Sequence, residues 1–187
     1  MGGRPDVTGE DALPGDRSRD ELIARMIRVD QAGEYGAVRI YAGQLAVLGR
    51  TGSGEAIRAM AATEREHLER FDGLVAERGV RPTALQPIWH VAGYALGAAT
   101  ALLGERAAMA CTVAVEEVID RHYAGQAARL GEDEAELRAT IETFRADELE
   151  HKDEALAHGA AGAPGYELLT GAVKAGSRLA IWLSTRI

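Results

Sequence analysis

The sequence is poor in cysteine, proline and aromatic residues, and each shortage excludes a class of protein. Among 187 residues there are one cysteine, five prolines and 5% aromatic side chains. The single Cys111 cannot form an internal disulfide or a zinc site built on cysteines, which fits a reducing compartment. The alternation of β-branched residues typical of strands is almost absent, whereas alanine, a strong helix former, occurs 35 times. The composition therefore predicts an all-α fold.

Basic side chains are outnumbered, since the chain has 21 Lys and Arg against 29 Asp and Glu, for a formal net charge of −8. No clustered basic face is visible, so we expect no nucleic-acid partner. The N-terminal segment is polar and lacks the apolar core of a secretory signal. We predict a polar flexible tail over residues 1–17 and a single helical-bundle domain over residues 18–187.

Helix boundaries are indicated by capping residues, glycines and prolines. Ser18 and Glu21 have the spacing of a capping box, which predicts a first helix from residue 18 to about residue 48. Further helices are predicted over 55–78, 88–130, 132–158 and 166–186. The third of these segments contains Gly93, Gly97 and Gly104, and is therefore either bent or divided into two helices.

A run of 23 residues between Arg81 and Glu105 carries no formal charge. It is long enough to be weighed as a membrane span, but its prolines, His90 and many small residues argue against one. Two interpretations remain: a buried helix of a bundle, or a helix lying on or partly in a bilayer. The last predicted helix is amphipathic, with Lys174 and Arg178 beside apolar residues, which fits either a membrane surface or core packing.

The sequence contains the pattern Glu-x-x-His twice, at Glu64 and His67 and again at Glu148 and His151. On a helix, residues three apart lie on one face one turn from each other, so each pair can hold the same metal ion. The intervening Glu66 and Glu150 point elsewhere. One such pair arises often by chance in a charged helix, but two are more informative.

A lone glutamate precedes each pair at a similar distance on the preceding helix, Glu34 in the first half and Glu116 in the second. The chain is therefore read as a duplicated helical hairpin. Four glutamates and two Glu-x-x-His histidines are the ligand set of ferritin-like di-iron and di-manganese four-helix bundles. We accordingly predict a ferritin-like four-helix bundle with an extra C-terminal amphipathic helix.

The residues around Glu34 and Glu116 are small or apolar, so both carboxylates are expected to be buried. Four buried carboxylates would repel one another, and two divalent cations would neutralise them. Oxygen-rich ligation with two imidazoles suits iron or manganese, which spacing cannot separate. The same ligands could serve a ferroxidase, a peroxidase, a catalase, a radical generator or an oxygenase. Tyr123, seven residues after Glu116 and on nearly the same face, favours Glu116 over Glu117 as the ligand.

Four segments of the sequence resemble the demethoxyubiquinone hydroxylase family of ubiquinone biosynthesis. They are RVDQAGEYGA at 28–37, RIYAGQ at 39–44, TALLG at 100–104 and AMACTVAVEE at 108–117. The similarity runs from about residue 20 to the C-terminus. Gln31 and Arg121 depart from it, because many members have histidine at those two positions.

The resemblance implies a metal centre of two iron ions, Fe²⁺ in the reduced state. The implied ligands are Glu34, Glu64, His67, Glu116, Glu148 and His151. It also implies that Tyr123 and His122 orient the substrate. The implied activity is hydroxylation, with O₂, of 3-demethoxyubiquinol, a 2-polyprenyl-6-methoxy-3-methyl-1,4-benzoquinol.

The family setting implies a peripheral protein on the cytoplasmic face of the bacterial inner membrane, or on the matrix face in mitochondria. A homo-oligomer and a lipid-binding partner protein are both compatible with it. Two other functions stay open. One is a ferritin-like ferroxidase or peroxide-scavenging protein, and the other is a non-catalytic, membrane-associated quinone-binding protein.

Overall fold

The computed structural model describes residues 18–187, so the predicted tail over 1–17 lies outside the described residues. Within that range the chain forms six α-helices and no strand. The helices are α1 (Arg19–Leu48), α2 (Gly54–Glu77), α3 (Gln86–Leu102), α4 (Glu105–Ala127), α5 (Ala135–Ala157) and α6 (Tyr166–Ser184). The predicted capping box is present at the start of α1, where the Ser18 side chain accepts from the Glu21 backbone N–H and the Glu21 carboxylate accepts from the Ser18 backbone N–H.

Four of the helices form the bundle. Helices α1 and α2 pack together as one hairpin and α4 and α5 as the other, and the hairpins meet through contacts of α1 with α4 and of α2 with α5. One apolar cluster around Tyr41 and Ile57 fills one end of the bundle, and a second around Phe71 and Ile141 fills the other. The predicted all-α, ferritin-like bundle is confirmed, and the space between its two apolar clusters is where the predicted ligands lie.

The predicted third segment is two helices, which settles an alternative that the sequence left open. Helix α3 ends at Leu102, and Gly104 then takes a φ of +109° that favours glycine. Helix α3 packs outside the bundle on α1, and the predicted C-terminal helix α6 packs outside it mainly on α4. Each hairpin therefore carries one outer helix, so the duplication extends to three helices in each half.

Glycines bring the backbones of α1 and α3 into direct contact. A Cβ atom added at Gly97 would lie 1.9 Å from the Ile40 carbonyl oxygen, and one at Gly43 would lie 2.2 Å from the Tyr94 carbonyl oxygen. These glycines are required by close helix packing. Helix α3 is thus held against α1 along its length.

The charge-free run forms a short loop and then α3, which has 17 residues. Across residues 18–187, no helix combines the length and the apolar character needed to cross a bilayer.

Candidate metal centre

The four bundle helices bring the six predicted ligands together in the interior. Helices α1 and α4 each contribute one glutamate, and α2 and α5 each contribute a Glu-x-x-His pair. All six side chains are buried, with exposed fractions between 1% and 7%. They are Glu34, Glu64, His67, Glu116, Glu148 and His151. Glu66 and Glu150 are exposed, as the helical spacing predicts.

The six side chains form two overlapping groups, each able to hold a metal ion. One group is Glu34, Glu64, His67 and Glu148, and the other is Glu64, Glu116, Glu148 and His151. In each group the ligand atoms lie within 4.8 Å of one another. Because Glu64 and Glu148 belong to both groups, their carboxylates are placed to bridge two ions.

Hydrogen bonding shows whether this donor set fits cations. Glu64 Oε1 and Oε2, Glu148 Oε2, His67 Nδ1 and His151 Nδ1 are buried and have no hydrogen-bond partner within residues 18–187. Leaving a buried polar atom unpaired costs about 1–3 kcal/mol. Five such atoms converge on one region, and metal coordination would satisfy all of them. The residues therefore fit a pair of divalent cations.

Neighbouring side chains fix the orientation of His67. Its Nε2 lies 3.0 Å from Asp147 Oδ2, and Phe144 stacks on the imidazole with 3.8 Å between ring centroids. Asp147 thereby leaves Nδ1 directed at Glu34 and Glu148, 3.6 and 3.4 Å away. A carboxylate on the outer nitrogen is the usual support of a metal-binding histidine. Sequence reasoning missed Asp147, because nothing in its spacing reveals a contact between α5 and α2.

Two tyrosines connect the halves of the bundle at the centre. The Tyr123 hydroxyl donates to Glu34, and the Tyr41 hydroxyl donates to Glu116 Oε1 at 3.0 Å. Each tyrosine follows the glutamate of its own helix by seven residues, yet it contacts the glutamate of the other half. The spacing of Tyr123 from Glu116 was noted in the sequence, but its contact with Glu34 was not predicted, and Tyr41 was missed. The repeat Glu34-x6-Tyr41 was the available signal.

Burial and mutual repulsion change the carboxyl pKa values. Burial, together with the charge of Glu148, raises the pKa of Glu34, and it raises the pKa values of Glu64 and Glu116 further above 4.5. Burial alone would also raise the pKa of Glu148, but the two imidazoles beside it lower that pKa. Burial alone would lower the pKa of His67, but Glu148 and Glu34 raise it to about 10. Without cations the centre thus retains protons at neutral pH.

The two residues predicted to orient the substrate are a buried tyrosine and a histidine that contacts a buried carboxylate. Tyr123 is 1% exposed in the core, and His122 Nε2 lies 3.2 Å from Asp30 Oδ1. Gln126 donates to the same carboxylate oxygen at 2.8 Å. Asp30 itself is 2% exposed. The role of Tyr123 and His122 in orienting substrate stays a prediction.

An apolar cavity of about 400 Å³ lies beside the centre, between the outer helices α3 and α6 and above α1 and α4. Its walls include Gly33 and Val115, which directly precede Glu34 and Glu116. Ile119, Leu96 and Leu179 add apolar side chains. Trp89 Nε1 donates to Ser184 Oγ at 3.0 Å and joins α3 to α6 at one end. None of the six predicted ligands is among the lining residues, so the cavity adjoins the cluster through these neighbouring wall residues.

A second pocket of about 460 Å³ shares Val29 with the cavity and is lined by cationic side chains. Arg25 comes from α1, and Arg121 and Arg129 come from α4 and the turn after it, together with His122. In the described part of the chain, no carboxylate is among its lining residues. Arg121 Nη2 lies 3.3 Å from Glu117 Oε2, outside the lining, so its charge is partly balanced. Three arginines in one pocket of a chain with net charge −8 still favour an anionic ligand. The Arg121 departure from the family pattern therefore falls in this pocket.

Comparisons with known proteins agree with the resemblance found in the sequence. The family described as ubiquinone biosynthesis protein COQ7 matches residues 21–184. A 3-demethoxyubiquinol 3-hydroxylase of Rhodospirillum rubrum is 62% identical over 181 residues, covering 96% of this chain and 85% of that protein. The NADPH-dependent 3-demethoxyubiquinone 3-hydroxylase, mitochondrial, of Homo sapiens is 53% identical over 169 residues, covering 88% and 78%. The 5-demethoxyubiquinone hydroxylase, mitochondrial, of Saccharomyces cerevisiae is 42% identical over 183 residues, covering 89% and 78%.

The raised carboxyl pKa values predict how the stability of metal-free protein depends on pH. A carboxyl whose pKa is raised by folding stabilises the folded state below its unfolded pKa of about 4.5, and this contribution is lost as pH rises through the folded pKa. The free energy of unfolding of chelator-treated protein should therefore fall as pH rises above about 4.5. Each carboxyl contributes to this fall. Its contribution should be ~1.4 kcal/mol for every tenfold difference between its acid dissociation constants in the folded and unfolded states. Urea unfolding at several pH values measures it.

The buried Glu64→Gln variant should weaken this pH dependence, whereas the exposed Glu66→Gln variant should leave it unchanged. A metal-free protein whose stability rises over the same pH interval would contradict the raised pKa values of the buried glutamates.

The crossed tyrosine contacts predict an effect on metal affinity. Tyr41→Phe and Tyr123→Phe each remove a donor from a predicted metal-binding glutamate, so each should lower Fe²⁺ affinity by about 10–100-fold. Anaerobic titration with Fe²⁺ measures this. Tyr35→Phe is the control, because Tyr35 bonds to His90 Nδ1 at 2.6 Å and not to the cluster. Unchanged affinity in both cluster variants would show that the hydroxyls do not support the ligands.

Proposed function

The chain belongs to the COQ7 family of ubiquinone biosynthesis, and on that basis we propose that it hydroxylates 3-demethoxyubiquinol with O₂. Relatives that are 62% and 53% identical carry names of this hydroxylase, which confirms the hydroxylase prediction made from the sequence. The observation that carries the proposal is the buried Glu/His cluster together with an apolar cavity whose walls include Gly33 and Val115, the residues directly before Glu34 and Glu116. The cluster supplies sites for a redox metal, and the cavity suits a hydrophobic ring.

The proposed cofactor is two iron ions. Glu34 and His67 would hold one ion, Glu116 and His151 the other, and Glu64 and Glu148 would contact both. When bound, iron supplies the activation of O₂ that no side chain can provide. Manganese has the same ligand preferences, so the choice of iron rests on the family.

The protein's own residues bind and position the reactants. The apolar walls of the cavity exclude water and favour a quinol ring over a charged molecule. A polyprenyl tail gains about 0.8 kcal/mol for each CH₂ removed from water. Burial keeps the pKa values of Tyr41 and Tyr123 well above 10, so both hydroxyls remain protonated donors and hold Glu116 and Glu34 in place.

The cavity separates this function from one of its alternatives. A ferroxidase or a peroxide-scavenging protein acts on small hydrophilic substrates and does not require an apolar cavity between its outer helices. A non-catalytic quinone-binding protein with a structural metal would have both the cavity and the unpaired buried atoms. O₂ consumption that is stoichiometric with hydroxylation of the ring separates it from the enzyme.

Removing a shared ligand tests the proposal. Iron-loaded wild-type protein given the demethoxy quinol, a reductant and O₂ should add about 16 Da, one oxygen atom, to the ring, as read by mass spectrometry. Glu148→Ala removes a side chain that belongs to both metal groups, so hydroxylation and iron binding should be lost. Glu150→Ala, an exposed neighbour on the same helix, should retain both. Hydroxylation by Glu148→Ala at the wild-type rate would refute the proposal.

The hydroxylation needs two external electrons, because one atom of O₂ enters the ring and the other leaves as water. The human relative is named NADPH-dependent, and we propose the same class of donor for this chain. Its phosphates would contact Arg25, Arg121 and Arg129, whose guanidinium groups suit phosphate geometry. Because this pocket and the cavity share Val29, the donor would lie close to the ring.

Charge removal in the arginine pocket tests the donor site. Arg121→Ala should raise the KM for NADPH about tenfold while leaving the KM for quinol nearly unchanged, because it removes a charge-assisted contact of about 1.5–3 kcal/mol. Arg70→Ala, whose guanidinium pairs with Glu136 on another face, is the control. If both variants have the wild-type KM for NADPH, the phosphates bind elsewhere.

We also propose peripheral binding to a membrane, on the cytoplasmic face of a bacterial inner membrane or the matrix face of a mitochondrial one. Apolar side chains are exposed on both outer helices, with Val91 67% and Leu102 76% exposed on α3, and Leu168 81% and Trp182 52% exposed on α6. Such a patch is uncommon on a protein that meets only water. Lys174 forms an ion pair with Glu117 at 2.7 Å, so it is not counted as a contact to lipid headgroups. The proposal of membrane binding rests on the exposed apolar side chains.

Charged substitutions on the outer helices test membrane binding. The double variant Leu102→Glu, Leu168→Glu should sediment with phospholipid vesicles at least about tenfold less than wild type, because each glutamate would have to enter the apolar layer. Leu156→Glu, at a 39% exposed position on α5, is the matched control. Equal sedimentation of all three proteins would exclude α3 and α6 as the membrane-binding surface.

A further inference from the structure

Several helical glycines in this protein have no packing reason to be glycine. At four helical positions among the described residues, an added Cβ would meet no heavy atom within 4 Å: Gly36, Gly125, Gly171 and Gly176. Glycine inside a helix is less stable than alanine, because it loses more backbone freedom on folding. At Gly43 and Gly97 the contact between α1 and α3 accounts for glycine. At the four open positions no such contact does.

Two of the open glycines share a location. Gly36 on α1 and Gly176 on α6 both line the apolar cavity. A side chain at either position would therefore extend into the cavity itself. The space that these glycines leave vacant is space that a bound molecule can use.

The two positions lie at different depths in the cavity. Gly36 is half-buried and lines the cavity from α1; it follows Glu34 by two residues, about 200° round the helix, so the two residues point to different sides of α1. Gly176 is exposed on α6, in the wall where Leu179 is 56% exposed and the cavity reaches the surface. One position is thus deeper in the cavity and the other is at the cavity opening.

We propose that Gly36 and Gly176 determine the substrate specificity of the cavity. Half-buried Gly36 leaves room for the inner part of the ligand, the quinol ring, and exposed Gly176 leaves room for the polyprenyl tail where it passes between α3 and α6. The inference rests on the proposed quinol hydroxylase function, since it takes its ligand from there. On this proposal, glycine is present at both positions because substrate binding needs the space, although alanine would make each helix more stable.

Quinone binding can be measured without turnover, because Trp89 lines the cavity and is one of only two tryptophans. In a Trp182→Phe background, a quinone that enters the cavity should quench the fluorescence of Trp89. The variants are Gly36→Leu and Gly176→Leu. Gly171→Leu is the matched control, because Gly171 is an open glycine on α6 that does not line the cavity. The ligands are demethoxy quinones with one isoprene unit or with a long tail.

Gly36→Leu should weaken binding of both quinones at least tenfold, since even one methylene in a fitted pocket changes discrimination by about 10–200-fold. Gly176→Leu should weaken binding of the long-tailed quinone by a similar factor and leave the short one nearly unchanged. Gly171→Leu should bind both like wild type. Thermal midpoints at or above the wild-type value would show that the variants fold. Gly36→Ala, which adds one methyl, should give a smaller loss in the same direction.

Wild-type affinity in both cavity variants, with the fold intact, would overturn the inference, and so would equal losses in the Gly171→Leu control. A wild-type protein that binds the quinones but never hydroxylates them would refute the proposed function while leaving the specificity assignment in place.

Discussion

Mutual repulsion among four buried carboxylates is the constraint on which this structure depends. Two unit charges about 4 Å apart repel by ~4 kcal/mol at an effective dielectric constant near 20, and the cluster brings four such groups within one small space. Two divalent cations would balance four negative charges and satisfy the unpaired atoms of Glu64, His67, Glu148 and His151. The fold therefore places these side chains where they could hold two ions.

Duplication explains how a short chain builds such a centre. Each half supplies a glutamate, a Glu-x-x-His pair and one outer helix. The halves are coupled where Tyr41 and Tyr123 each reach the glutamate of the opposite half. The outer helices then enclose an apolar space over the centre, so one architecture provides both the metal ligands and the place for a hydrophobic substrate.

The parts that were predictable from the sequence follow local rules. Helical periodicity and the doubled Glu-x-x-His pattern were sufficient to select the six side chains that the fold brings together, and the family is confirmed by the relatives. Contacts between helices were not predictable in this way. Asp147 touches His67 only because α5 lies against α2, and the cavity exists only because α3 and α6 are held apart over α1 and α4. The break at Gly104 could be suspected but not decided, since glycine is compatible with both a bend and an end.

The central claim is that the cluster holds two metal ions between Glu64 and Glu148. Anomalous X-ray diffraction at the iron edge, on crystals of protein loaded anaerobically with Fe²⁺, tests it most directly. We expect two peaks, one beside Glu34 and His67 and one beside Glu116 and His151. A single peak at the protein surface, or no peak among these six side chains, would contradict it.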